Sequence, residues 1–257
     1  MRKYRPRKTN TSWQNVHKEY SEKVGETGHY FHEHVILPKL KEILKINSDS
    51  KVLDLACGEG VLSRSLQGYK YFLGVDLSKS LIEDARNKST NPNAKFIIKD
   101  VGKELDIEDH DFTHCTIVLA LQNIENPYLV ILNAFNNLIS GGTFVIVINH
   151  PYFRIPKSTS WEVDKENGHQ YRKVFRYLSP HKIRIDMHPG VSSSKQFTYS
   201  YHNSLADYTM MLHETGFEIE YIDEWISDKV SEGRLAETEN FARKEFPMFM
   251  CLVCKKK

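Results

Sequence analysis

Apolar positions recur with two different rhythms along the chain. Across residues 11–46, in "WQNVHKEYSEKV" and "HVILPKLKEILKI", they fall three and four apart, which predicts helices. Gly25 and Gly28 interrupt the segment, and Pro38 predicts a bend or a fresh helix start. From residue 51 short continuous apolar runs take over: 51–56 "KVLDLA", 71–76 "YFLGVD", 94–99 "AKFIIK", 114–120 "HCTIVLA" and 143–149 "TFVIVIN". Such runs suit strands buried on both faces of a sheet. Helical stretches at 60–67, 79–88 and 127–138 separate most of them. Ser78 is placed to cap the second, and Asn126, followed by Pro127, to cap the third. The link 101–113 is polar and holds no firm element.

Alternation of this kind predicts an α/β fold, a Rossmann-like doubly wound sheet that is mostly parallel. Residues 151–202 break the alternation. They hold Trp161, Tyr171, Tyr177, Tyr199 and Tyr201, with strand-like pieces "RKVFRYL" and "KIRIDM" joined by Ser-Pro. They read as an inserted lid of short antiparallel strands. A helix returns in "NSLADYTMMLHETGF", where Ser204 and Asp207 have capping-box spacing and Gly216 marks the end. "FEIEYIDEW" and "FPMFMCLVCKK" close the chain as two strands with a helical stretch between. The divisions are a basic arm (1–10), a helical N-terminal cover (11–50), a ligand-binding core (51–150), a lid (151–202) and the C-terminal part of the core fold (203–257).

Composition narrows the setting. The net charge of +2 over 257 residues is too mild to argue for nucleic acid by itself. The start "MRKYRPRK" is basic, and reads either as a solvated terminus or as an arm that touches RNA or a membrane surface. No apolar run approaches a membrane span and no signal peptide is visible, so a cytoplasmic protein is expected. The four cysteines lie in apolar stretches and read as free thiols. Cys251 and Cys254 are three apart on an expected strand, so they face opposite sides of the sheet and form no redox or metal pair. His29, His32 and Glu33 could share a helix face, but further ligands are not evident, and no metal is expected.

The candidate site is "KVLDLACGEG", residues 51–60, a strand that enters a glycine turn and then a helix. The glycines allow close approach of a ligand, and the helix start offers free N–H groups. Asp76 ends the second strand, where an acid can accept both hydroxyls of a ribose. Asp100 follows the third, where it can accept from an adenine amino group beside the Val101 N–H. Ala120 and Leu121 end the fourth strand and would border the reactive end of the ligand through their backbone. A dinucleotide fingerprint wants a third small residue of Gly or Ala type, and here that place is Ser63. Asp54, just ahead of the turn, would repel a pyrophosphate but could hold an ammonium group, directly or through water. An adenosine carrying positive charge fits better than one carrying phosphates.

The motifs "VLDLACGEG", "GVDLS", "KDV" and "TIVLALQNIENP…LISGGTFVIVINHP" resemble those of class I S-adenosylmethionine-dependent methyltransferases, of the methyltransferase type 11/25-like kind, over about 51–150. That resemblance implies a core that binds S-adenosylmethionine and a terminal strand pair containing an antiparallel strand. It implies that Asp54, Ala56, Cys57, Gly58 and Gly60 frame the methionine moiety. Asp76 and Leu77 would serve the ribose and adenine edge, Asp100 and Val101 the adenine, and Ala120 and Leu121 the region of the sulfonium. Aromatic residues such as Tyr20 and Tyr30 would close over the cofactor from the N-terminal cover. Methyl transfer needs no enzyme nucleophile, so Cys57 is expected to be a small packing residue.

Substrate choice then falls to "NHPYFRIP", residues 149–156, at the end of the fifth strand. His150 is the first candidate for a base or acceptor contact, with Tyr152 and Arg154 next. The expected acceptor is a small molecule methylated at oxygen, nitrogen or carbon. The alternatives are RNA, engaged by the basic arm, and a module that binds the cofactor without catalysis. An NAD-dependent oxidoreductase is a third rival.

Overall fold

A computed structural model describes residues 29–164, 166–186 and 197–257. Of the N-terminal cover, the described part is one helical segment. A π-helical turn at His32–Ile36 passes into α1, Leu37–Leu44. Pro38 sits in the first turn of α1. It has no N–H to donate to the preceding turn, so the tighter ladder begins only there. Leu37, Leu40 and Leu44 are buried, each contributing about 2 kcal/mol of apolar burial.

The central sheet has seven strands. They are β1 (Lys51–Leu55), β2 (Tyr71–Asp76), β3 (Ala94–Ile98), β4 (Phe112–Val118), β5 (Leu138–Asn149), β10 (Phe217–Trp225) and β11 (Phe249–Lys256). Their order is β3-β2-β1-β4-β5-β11-β10. β11, the last strand, runs antiparallel to both its neighbours, and β1 to β5 pair in parallel. This is the Rossmann-like, mostly parallel sheet that the apolar runs predict, with the antiparallel terminal strand that the family resemblance implies. β5 starts five residues earlier than its apolar run, because it leaves the preceding helix directly through exposed Ile139–Gly141.

The helices are α2 (Val61–Ser65), α3 (Lys79–Lys88), α4 (Pro127–Asn137), α5 (Leu205–Thr215) and α6 (Ala236–Glu245). Ser78 caps α3 through Leu81 N–H, and Asn126 caps α4 through Leu129 N–H. Ser204 and Asp207 form the reciprocal capping box of α5, which ends on Gly216. One face of the sheet packs on α4 and α5 through Ile131, Ala134, Tyr208 and Leu212. The other packs on α1, α2 and α3 through Leu40, Leu62, Ile82 and Ala85. Cys254 belongs to the first face and Cys251 to the second. Burial pushes both thiols up to about 12.

The described strands within 151–202 are short and antiparallel, as the strand-like pieces suggest, and they form two pairs. β6 (Thr159–Val163) pairs with β7 (Gln170–Val174), and β8 (His181–Asp186) with β9 (Phe197–His202). Asp164 closes the first hairpin by accepting from Glu166 and Asn167 N–H groups. Arg176, at φ +56°, turns the chain between β7 and β8, so each strand pairs with its other neighbour. The link 101–111 is held by α4. Asn133 accepts from Leu105 N–H and donates to the carbonyls of Val101 and Lys103.

Candidate functional site

The carboxyl ends of β1, β2 and β4 converge on one buried acid. Asp54 lies on β1 opposite Gly74 of β2 and Thr116 of β4. Thr116 Oγ1 donates to Asp54 Oδ1 at 2.7 Å. Burial pushes the Asp54 carboxyl up to about 7; the Thr116 bond opposes the shift and the charge of Asp76 adds to it. Here a carboxylate lacks water and has one hydroxyl donor, so a cation is the partner that would restore its ordinary acidity.

After β1 the chain turns sharply through Ala56, at φ +55°. Cys57 N–H donates to Val75 O at 3.0 Å, and Gly58 N–H donates to Asp76 Oδ2 at 3.0 Å. Asp76 Oδ1 accepts from Ser78 N–H at 2.8 Å. Asp76 thus holds the glycine turn against the start of α3. Burial pushes its carboxyl up, and the N–H groups of Ser78, Gly58 and Leu77 pull it back. A side chain at Gly58 would meet nothing within 4 Å, so the turn faces open space there. Gly60 is the opposite case. At φ +75° it caps α2, and a Cβ would lie 2.9 Å from the Phe96 ring.

The Cys57 thiol is directed at β2, since a Cβ at Gly74 would lie 2.8 Å from its Sγ. Burial pushes it well up, and the charges of Asp76 and Asp54 add to that. A thiol so placed is no nucleophile. Glu59 is a buried residue that its place in the glycine run does not advertise. It pairs with Lys88 at 2.8 Å and with Arg64 at 3.3 Å, tying the turn to α2 and α3. Both cations beside the turn therefore face a carboxylate.

Asp100 Oδ1 accepts from Gly102 N–H at 3.1 Å, and Oδ2 lies 3.3 Å from Lys103 Nζ. Val101 and Leu121 have buried side chains, while Leu77 and Ala120 are half-buried. Leu119, at φ +52°, carries the chain out of β4 into the turn Leu121–Asn123. Gln122 follows at once. Its Nε2 donates to Leu119 O at 2.9 Å, and its buried Oε1 has no hydrogen-bond partner among the described residues. Tyr20 and the basic arm 1–10 lie outside the described residues.

His150 is buried at the end of β5. Its Nδ1 accepts from the N–H groups of Tyr152 and Phe153, which puts the ring proton on Nε2. Nε2 then donates to Glu224 Oε1 at 2.7 Å. Burial pushes the ring below the ordinary histidine value, against the pull of Glu224. Both nitrogens are engaged, so His150 as placed shapes the turn after β5. Tyr152 is exposed and meets Phe153 and Tyr177 edge to face. Arg154 lines a narrow cavity with Gln122, His150, Ser200 and His202. His29, His32 and Glu33 form no metal-ligand group, and none of three or more such side chains gathers among the described residues.

Known proteins agree with this reading of the fold. The family described as a methyltransferase domain matches residues 46–215. A solved S-adenosylmethionine-dependent methyltransferase from Mesorhizobium loti superposes with a TM-score of 0.66 at 24% identity, over 85% of this chain and 96% of that one. One from Clostridium acetobutylicum covers 94% of this chain and 98% of its own, with a TM-score of 0.62 at 18% identity. A demethylmenaquinone methyltransferase of Staphylococcus haemolyticus is 25% identical over 123 residues, 46% of this chain and 51% of its own length. The chain thus spans about half the length of the curated relatives it matches.

The fold is that of the S-adenosylmethionine-dependent methyltransferases. The chain belongs to the methyltransferase-domain family. No helix among the described residues is long and apolar enough to cross a membrane.

Proposed function

We propose that this protein transfers a methyl group from S-adenosylmethionine to a small-molecule acceptor at oxygen, nitrogen or carbon. The observation that carries the proposal is the acidic donor set around an open glycine turn. Asp54 is buried beside Thr116, Asp76 holds Gly58, and the two nearby cations, Arg64 and Lys88, face Glu59. A pyrophosphate would meet carboxylates there, whereas an ammonium group and ribose hydroxyls would meet acceptors. The residues fit S-adenosylmethionine and disfavour NAD.

In this reading Asp54 holds the ammonium group, directly or through water. The backbone of Ala56, Cys57, Gly58 and Gly60 frames the methionine portion. Asp76 and Leu77 receive the ribose, Asp100 and Val101 the adenine, and Ala120 and Leu121 border the reactive end. When bound, S-adenosylmethionine would supply an electrophilic methyl carbon, for transfer to an electron pair of the acceptor with S-adenosylhomocysteine as the leaving group. The protein's part is to align the two and exclude water. The hairpins of 151–202 act as the acceptor-side lid. His150 and Glu224 position the turn that carries Tyr152 and Arg154. The small cavities at this end support a small-molecule acceptor, as does the name of the demethylmenaquinone methyltransferase relative.

Calorimetry tests the reading. S-adenosylhomocysteine should bind to the full chain and NAD should not. Binding of NAD without S-adenosylhomocysteine would sink it.

A further inference from the structure

The sheet end beyond β5 holds a second cavity, of about 210 Å³. Phe153 and Arg154 come to it from the turn after β5, Trp161 and Arg172 from the first hairpin, and Arg243 and Phe246 from α6 and its exit. Three guanidinium groups line this space. Glu239 is the one carboxylate on its walls among the described residues.

The guanidinium groups are poorly neutralised. Arg172 donates to Phe153 O and to Thr159 Oγ1, both at 2.8 Å, and lies 4.8 Å from the centre of the Trp161 ring. None of those partners carries charge. Arg243 donates to Ser231 Oγ at 2.8 Å and reaches Glu239 only at 3.9 Å; its Nε is buried without a partner among the described residues. The Arg154 side chain has neither a carboxylate nor a hydrogen-bond partner among the described residues, although it is half-buried. Burial pushes Arg154 and Arg172 down from the ordinary arginine value, and Arg154 pushes Arg172 further. Holding like charges together away from water is unfavourable unless an anion joins them. A guanidinium fork matches the planar oxygens of a carboxylate or phosphate. The rings of Phe153 and Trp161 both meet Phe246 edge to face, at 5.3 and 5.2 Å, and give the cavity apolar walls.

The cavity also lies on the acceptor side. Arg154 is in its wall and in the wall of the narrow cavity that Gln122 and His150 share. Gln122 follows Ala120 and Leu121 at the end of β4. Met248, just ahead of β11, lines the larger cavity. β11 lies two strands from β4, which is about 10 Å at ordinary strand spacing.

We infer that this cavity receives the anionic end of the methyl acceptor, a carboxylate or phosphate on a flat apolar body that reaches back across the sheet end toward β4. The inference rests on the methyltransferase reading above. Arg154 is the specificity-determining group, because the other two arginines have local partners and the Arg154 side chain has none among the described residues.

The test is a titration of the full chain with phenyl phosphate, benzoate and benzyl alcohol, followed by NMR, in wild type, R154Q and R154K. S-adenosylhomocysteine is titrated into each by calorimetry. At least one anion should bind wild type tenfold or more tighter than benzyl alcohol. R154Q should lose about tenfold for that anion, in keeping with one charge-assisted hydrogen bond. R154K should recover part of the loss, and S-adenosylhomocysteine affinity should stay within about twofold, since Arg154 lies outside its cradle. Preference for phenyl phosphate marks a phosphate acceptor, and preference for benzoate a carboxylate. Equal binding of anions and alcohol, or no loss in R154Q, overturns the inference while S-adenosylhomocysteine still binds. Wild type that binds no S-adenosylhomocysteine overturns the methyltransferase reading, and the acceptor assignment with it.

Discussion

His150 Nε2 lies 2.7 Å from Glu224 Oε1, which joins the turn after β5 to β10, the outermost strand on that side of the sheet. The two partners are unequal. The imidazole is buried and also holds two backbone N–H groups, whereas the Glu224 side chain is more than half exposed. H150A should therefore lose about 2–3 kcal/mol, from orphaned N–H groups and lost packing. E224Q should lose no more than about 1 kcal/mol. Urea denaturation of the two variants checks the contrast; equal losses would contradict it.

The same histidine has a pH signature. Its folded value lies below the ordinary 6.5, so the unfolded chain takes up the proton first as pH falls. Its contribution is complete above about pH 6.5 and is lost as the pH drops toward the lowered folded value. Wild type should thus lose more stability than H150Q between pH 6.5 and 5.

Asp54 behaves in the opposite sense. Its folded carboxyl is raised to about 7 from 3.8, so between those values the folded protein binds more protons than the unfolded chain. In the free protein Asp54 therefore becomes less favourable to folding as pH rises through that window. D54N should gain in melting temperature relative to wild type as pH goes from 5 to 8. S-adenosylhomocysteine affinity of wild type should rise over the same range, as the carboxylate proposed to hold the ammonium group ionises. D54N should bind at least about tenfold more weakly at pH 8, and with little pH dependence. A flat wild-type affinity profile would remove Asp54 from the ammonium site.

Glu59 and Gly60 test the turn itself. E59Q leaves Arg64 and Lys88 without their carboxylate, and both are partly exposed, so about 2–3 kcal/mol is expected. G60A places a side chain at φ +75° and against the Phe96 ring, for about 2–3 kcal/mol. G60A should also weaken S-adenosylhomocysteine markedly, since the turn must shift to relieve Phe96. Chemical denaturation and calorimetry measure both effects.

Cys57 should be inert. C57A should retain S-adenosylhomocysteine binding within a few-fold, because the thiol faces Gly74 and not the open side of the turn. A thiol reagent should modify native protein slowly at pH 8, as burial raises all four thiols. Rapid labelling of Cys57 would show that the turn opens in solution.

Strand ends carry the legible part of this protein. Asp54, Asp76 and Asp100 are visible in the chain because the first interrupts an apolar run just ahead of the glycine turn and the other two end or follow one, at places where a sheet of this kind binds ligands. The caps Ser78, Asn126 and Ser204 are visible because their hydrogen bonds span three residues. Glu59 is not visible, because Lys88 lies twenty-nine residues away and nothing local marks it as buried. Thr116 stands among apolar neighbours as the one weak signal of its bond to Asp54.

The sequence alone determined the sheet, its helices and the acidic glycine turn, since strand and helix periods, caps and positive-φ glycines are local properties of the backbone. Tertiary structure decided the rest. Which strands of 151–202 pair depends on the turn at Arg176. The link after Val101 is shaped by Asn133, some thirty residues on. The role of His150 depends on Glu224, and the arginine cavity exists only because three separate segments meet at one end of the sheet. Such contacts join residues far apart in the chain, and their energy depends on burial and partner geometry that no local pattern encodes.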